Sequence, residues 1–193
     1  MTTAQPPSTG HGCPSGSLDL DSEFWRFSLS FYSRPGVAPA CLVLQGRCSV
    51  DVNVLLLAIF AAAHRDRILT ATDLRAADDI VSGWRTEIVE QLRHIRTRLK
   101  SGPMPAPSTA TEDLRTHVKA AELKAEQIEQ ALLMAFLDRL PPASAPTALD
   151  ADAVVRRVIR HFSATPTDAS PAAEISQAIH VLTDAIIHAA HGD

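Results

Sequence analysis

The stretch Val54-Leu55-Leu56-Leu57-Ala58-Ile59-Phe60-Ala61-Ala62-Ala63 holds no polar side chain. A helix that is apolar all round belongs in an interior, because any face it turned to water would stay apolar. It is too short to cross a bilayer, which takes about 20 apolar residues. Other elements of the same chain must therefore wrap it. Residues 50–65 are expected to form one central helix, entered through Asp51 or Ser49 as a cap that accepts orphan backbone N–H bonds.

The surrounding sequence reads as helices too. Apolar residues make up 46% of the chain but aromatics only 5%, and alanine is abundant. Good helix formers dominate, while β-branched and aromatic runs are scarce. A helix over 22–33 carries Phe24, Phe27, Leu29, Phe31 and Tyr32, and Arg34-Pro35-Gly36 stops it. A short helix over 37–45 ends at Gly46. Residues 72–83 and 84–100 form two helical pieces meeting near Gly83, the second with Ile88, Leu92, Ile95 and Leu99 at helical spacing. The longest helix, 111–140, carries an apolar stripe of Leu114, Val118, Ala121, Ala125, Ile128, Leu132 and Ala135. Its Glu122, Lys124, Glu126 and Glu129 fall mostly off that stripe. Two amphipathic helices close the chain. The first spans 150–162, with Val154, Val155, Val158 and Ile159. The second spans 171–190, with Ile175, Ile179, Leu182 and Ile186, capped by Ser170 with Pro171 in its first turn. Proline-rich linkers cover 101–108 and 141–147.

The expected fold is all-α, an irregular helical bundle with a C-terminal two-helix extension. Residues 1–20 read as a disordered tail, 21–140 as the bundle domain, and 141–193 as a proline-rich hinge with the two added helices. The formal charge of -4 calls for neither nucleic acid nor an anionic membrane as partner. Three cysteines without a CxxC pair argue against a disulfide framework or a thiolate zinc site. With no signal-peptide pattern at the start, the expected location is the cytoplasm, without membrane insertion.

Three groups of residues are candidates for chemistry. Cys41, Gln45, Asp51 and Asn53 bracket the turn into the central helix, where a thiol, amides and a carboxylate could hold a polar ligand. Against this, Asp51 reads as a cap, Cys41 as a small hydrophobe, and Asn53 as a first-turn residue satisfying backbone groups. Arg93, Arg96 and Lys100 share one helix face and could meet phosphates or an acidic partner. Cations also gather at helix C-termini for electrostatic reasons alone, and no interleaved aromatics are there to stack bases. His180, Asp184 and His188, with His191, fall on one arc of the last helix and form a weak metal candidate. Trp25 and Trp84 read as core anchors, and Asp78-Asp79 as a solvated acidic patch. No phosphate-binding glycine loop, nucleophile elbow or catalytic carboxylate pair occurs, and no cofactor is expected.

The block Phe24-Trp25-Arg26-Phe27-Ser28-Leu29, Tyr32-Ser33-Arg34-Pro35-Gly36-Val37, Ala40-Cys41-Leu42-Val43-Leu44-Gln45 and Asp51-Val52-Asn53-Val54-Leu55-Leu56 resembles a proteobacterial family of hypothetical proteins, the domain of unknown function DUF 2390. The runs Trp84-Arg85-Thr86-Glu87-Ile88-Val89, Leu92-Arg93, Arg98-Leu99-Lys100 and Val118-Lys119-Ala120-Ala121-Glu122-Leu123 fit it as well, so the resemblance spans about 22–140. The chain departs from the family pattern at Gly46, at Cys48-Ser49 and at Phe60, where an acidic residue, His-Gly and Trp are usual. The resemblance implies a small helical protein and no particular reaction.

Three function classes follow. A non-enzymatic protein-interaction or adaptor module is favoured, with another protein as partner and self-association left open. The alternatives are a polyanion or nucleic-acid binder using the basic face, and a small-ligand binder or enzyme using Cys41 and Asp51.

Overall fold

The computed structural model of the chain describes residues 18–141, 148–163 and 173–190. Most of the expected tail, the linker over 142–147, and Ser170 and Pro171 at the start of the last helix lie outside the described residues. Among the described residues all regular structure is helical, and no strand occurs. The chain is all-α, as the composition implies. No helix among these residues is long and apolar enough to cross a membrane.

Helix α1 (Glu23–Tyr32) starts at Ser22, whose hydroxyl accepts from the Trp25 amide. Helix α2 (Val37–Cys48) follows a turn in which Gly36 adopts φ 81°. Gly46 does not end α2, which runs on to Cys48 and closes through Ser49 at φ 55°. Helix α3 (Val52–His64) is the apolar segment. Asp51 caps it, accepting from the Val54 amide at 2.8 Å. Thr70 and Asp73 form a reciprocal capping box at the start of α4 (Ala71–Trp84).

Gly83 neither breaks nor ends the chain's helical path. Instead α4 passes directly into a single wide π turn, Arg85–Val89, and then into α5 (Glu90–Arg98). Helix α6 (Thr109–Leu137) begins at a Ser108–Thr111 box. Helices α7 (Ala151–Phe162), capped by Asp150, and α8 (Ala173–Ala190) complete the fold.

Every residue of α3 from Asn53 to Ala62 is buried, as a helix apolar on all sides requires. Helices α1 and α6 pack on it from one direction and α7 and α8 from another, with α8 lying along α2. Val155, Val158, Leu182 and Ile186 are fully buried in the same core as Leu55, Leu57 and Ile59.

Two apolar patterns sit differently from the expected stripes. No residue of α5 is buried, and Ile95 is 47% exposed. On α6 the buried face contains Glu122, Ala125, Glu129, Gln130, Leu133 and Met134, while Leu114 is 51% exposed. The helix is thus rotated so that two glutamates face inward. What permits this is the set of partners they meet there.

Candidate functional site

The site is assembled where the N-terminal end of α3 meets the π turn and the middle of α6. A π turn adds one residue to a helical turn, and such bulges recur at functional sites because they re-aim side chains. Here the turn carries Arg85. Its Nη2 donates to Asp78 Oδ1 at 2.7 Å, and its Nη1 stands 3.4 Å from Asp51 Oδ2. Asp78 also meets His161 Nε2 on α7 at 3.1 Å, so it is not part of a solvated acidic patch. The Asp51 carboxylate divides its work: Oδ1 caps α3, and Oδ2 faces Arg85. Burial pushes the Asp51 carboxyl above its usual range, while the Arg85 guanidinium opposes that rise.

One turn into α3, Asn53 bridges to α6. Its Nδ2 donates to Glu129 Oε2 at 3.0 Å, and its Oδ1 accepts from Gln130 Nε2 at 2.9 Å. Glu129 is fully buried. Burial, reinforced by the nearby Asp51 charge, raises its carboxyl to about 9. At neutral pH Glu129 is therefore an uncharged acid, which is how a carboxyl group is tolerated in the core.

The other buried glutamate is handled differently. Glu122 receives Arg93 Nε at 2.9 Å and both Nε and Nη2 of Arg96, while Arg93 Nη2 donates to Glu126 Oε1 at 2.7 Å. The two guanidiniums outweigh desolvation and hold the Glu122 carboxyl below its usual range. Burial pushes the Glu126 carboxyl up, against the pull of Arg93. The basic face expected from Arg93 and Arg96 is thus turned onto α6 and matched there by carboxylates. It does not stand free in solvent.

These groups surround a cavity of about 380 Å³ between α1, α2, α3, the π turn, α5 and α6. Its deep wall brings together the buried polar groups Ser28, Asp51, Asn53 and Gln130, with Arg85 and the buried Leu56 and Val89 beside them. At its mouth Leu29, Leu42 and Leu123 are 51%, 57% and 50% exposed, with the exposed Lys119 beside them. Trp25, expected to be a core anchor, lies half-buried in this lining instead. Trp84 does anchor, donating from Nε1 to the Ala125 carbonyl at 3.0 Å and pinning the π turn to α6.

Of the residues singled out in the sequence, Gln45, Asp51, Asn53, Arg93 and Arg96 line this one cavity. Cys41 does not. It is fully buried on the adjacent, core-facing side of α2, and burial pushes its thiol up to about 12, so no nucleophilic thiolate exists at neutral pH. Lys100 is exposed beyond the end of α5 and away from the cavity. His180 and Asp184 are exposed and 3.6 Å apart. His188 is also exposed, and His191 lies outside the described residues. No cluster of three metal-ligating side chains occurs among the described residues.

Sequence reasoning did not single out Ser28, Gln130 or the inward glutamates as site residues. Only one signal could have raised them: several ionisable residues on a helix whose length demands a packed face.

A family described as a protein of unknown function, DUF2390, matches residues 23–133. The chain belongs to this family. No curated protein and no solved structure matches it. The DUF2390 span runs from the first residue of α1 into the last turns of α6. Every residue lining the cavity, from Trp25 to Gln130, falls inside it. Helices α7 and α8 lie beyond the DUF2390 span, although they complete the core beneath the cavity.

Proposed function

We propose that the chain is a binding protein for a small amphipathic molecule, held in the cavity between α1, α2, α3, the π turn, α5 and α6. The observation that carries this reading is the cavity's make-up. A volume of about 380 Å³ falls within the range of ligand pockets, roughly 300–1,000 Å³. A few convergent polar groups in the wall and apolar side chains around them are the usual composition of such pockets. Binding without a reaction is the better account, because the arginines of the lining are engaged with its carboxylates, Arg85 with Asp51, and Arg93 and Arg96 with Glu122 and Glu126, which leaves only the exposed Lys119 outside these pairs. A cytoplasmic setting suits the free thiols of Cys41 and Cys48, which a reducing compartment preserves.

The test uses N-phenyl-1-naphthylamine, an uncharged dye that brightens in apolar sites. Saturable one-to-one brightening is expected with the full chain. Leu29→Glu and Leu42→Glu, both at exposed mouth positions, should weaken it at least tenfold, and Ile95→Glu, exposed and outside the lining, should leave it unchanged. Brightening that ignores the two mouth substitutions would remove the reading.

The three exposed leucines also favour a second reading, that of an interaction module whose partner lays apolar side chains over the mouth. The partner is then another protein or a second copy of the chain. Sedimentation of the chain and of the Leu29→Glu and Leu42→Glu variants tests self-association, and affinity capture with the same variants tests a different partner.

A further inference from the structure

We infer that the cavity takes its ligand head first, and that the head is an uncharged carboxamide-type group carried on an apolar body. This rests on the small-molecule reading above and specifies the ligand's chemistry.

Polarity in the cavity runs opposite to that of a protein surface. Three leucines with half their surface in water stand at its mouth beside the exposed Lys119, while Ser28 and Gln130, each 3% exposed, lie in its wall with Asp51 and Asn53. A ligand that satisfies both zones carries its polar group inward and leaves its apolar part against Leu29, Leu42 and Leu123.

The charge balance then selects the head. Arg85 is already faced by Asp51 and Asp78. Arg93 and Arg96 are taken up by Glu122 and Glu126. The remaining lining cation, Lys119, is exposed and stays hydrated at the rim, so a carboxylate entering the buried part would meet only cations that already have a carboxylate beside them, and would lose its own hydration in the process. An ammonium would be set against Arg85 and Arg93. A neutral head avoids both costs.

Hydrogen-bonding capacity points the same way. Among the described residues, Ser28 Oγ, Gln130 Oε1 and Arg85 Nη1 are buried without a hydrogen bond, the last with only its ion-pair contact to Asp51 Oδ2 at 3.4 Å, and all three side chains belong to the cavity lining. They comprise a hydroxyl, an N–H donor and a carbonyl acceptor. A carboxamide offers the complement: a carbonyl for Arg85 and an NH2 for Gln130, with the Ser28 hydroxyl able to serve either. Each of the three atoms is closed off from water in the wall, so the head reaches them through a small turn of these side chains. Leaving such groups unpaired is costly, which makes a ligand that pairs them selective over one that does not.

The experiment is displacement of N-phenyl-1-naphthylamine from the full chain by three compounds sharing one apolar body: 2-naphthamide, 2-naphthoate and 2-naphthylmethylamine. The amide is expected to displace the dye at a concentration at least tenfold lower than either charged compound. Ser28→Ala removes a hydroxyl that bonds nothing in the protein. It should weaken the amide about threefold to tenfold, measured relative to the dye's own affinity for the same variant. Equal displacement by all three, or stronger displacement by the naphthoate or the amine, overturns the uncharged head while the binding site stands. A dye that ignores the mouth substitutions overturns both.

Discussion

The Asn53 amide nitrogen donates to Glu129 Oε2 at 3.0 Å across the buried seam between α3 and α6. The same side chain accepts from Gln130 Nε2, so a single amide satisfies two polar groups that have no access to water. Asn53→Ala would strand both, and stranding a buried polar group costs about 1–3 kcal/mol. A loss of about 2–3 kcal/mol in urea unfolding is expected. A cost under about 0.5 kcal/mol would mean that the seam rearranges and the network is not structural.

Glu129 gives the fold a pH dependence of definite sign. Its carboxyl titrates near the ordinary value of 4.5 when unfolded and at about 9 in the fold. The folded state therefore binds the proton more tightly, and the stability this brings is complete below about pH 4.5 and lost as pH rises toward 9. Glu129→Gln keeps an acceptor for Asn53 and removes the titration. The variant should match the wild type near pH 4.5 and gain on it by on the order of 1 kcal/mol per pH unit up to about pH 9. Parallel stability profiles for the two proteins would show that Glu129 is ionised in the fold.

Much of this architecture could be read from the sequence. An all-apolar run has one solution, which is burial, and α3 adopts it. Asp51 caps α3 where its short polar side chain precedes the helical pattern. The inward face of α6 could not be read, because a glutamate looks the same in a sequence whether it faces water or an arginine. Glu122 is buried by virtue of Arg93 and Arg96, and Glu129 by virtue of Asn53, and periodicity within α6 contains none of those residues. The turn residues were legible as a group but not in their register. Leu42 and Gln45 share the cavity side of α2, whereas Cys41, Leu44 and Cys48 share the core side. The direction of Arg85 could not be read because it depends on the π turn, for which the sequence offers no marker.

Helices α7 and α8 are proposed to be integral to the fold and not an appendage. Leu182 on α8 is fully buried in the core that holds α3. Leu182→Ala should cost about 2–5 kcal/mol, the range for truncating a packed leucine. Both tryptophans, Trp25 and Trp84, lie outside α8, so their fluorescence reports on the rest of the chain. The expected outcome is a single transition whose midpoint falls in tryptophan fluorescence and helical circular dichroism together. A tryptophan transition that stays where it was would make α8 an independent unit.

Two glycines in or beside α2 should respond to alanine with opposite signs. Gly36 sits at φ 81°, and a Cβ there would stand 3.1 Å from Val181 Cγ1 on α8. The left-handed conformation alone costs an L-residue about 1–2 kcal/mol, and the contact with Val181 adds to it, since α2 and α8 pack side by side. Gly46 lies within the helix, exposed, with nothing within 4 Å of an added Cβ. Alanine there gains helix propensity of about 1 kcal/mol and strains nothing. Thermal unfolding should therefore rank Gly46→Ala above the wild type and Gly36→Ala below it. Val181→Ala in the Gly36→Ala background tests how the loss divides. It relieves crowding but not the backbone, so partial recovery beyond the cost of Val181→Ala alone is expected. No recovery would assign the whole loss to the backbone of the α1–α2 turn.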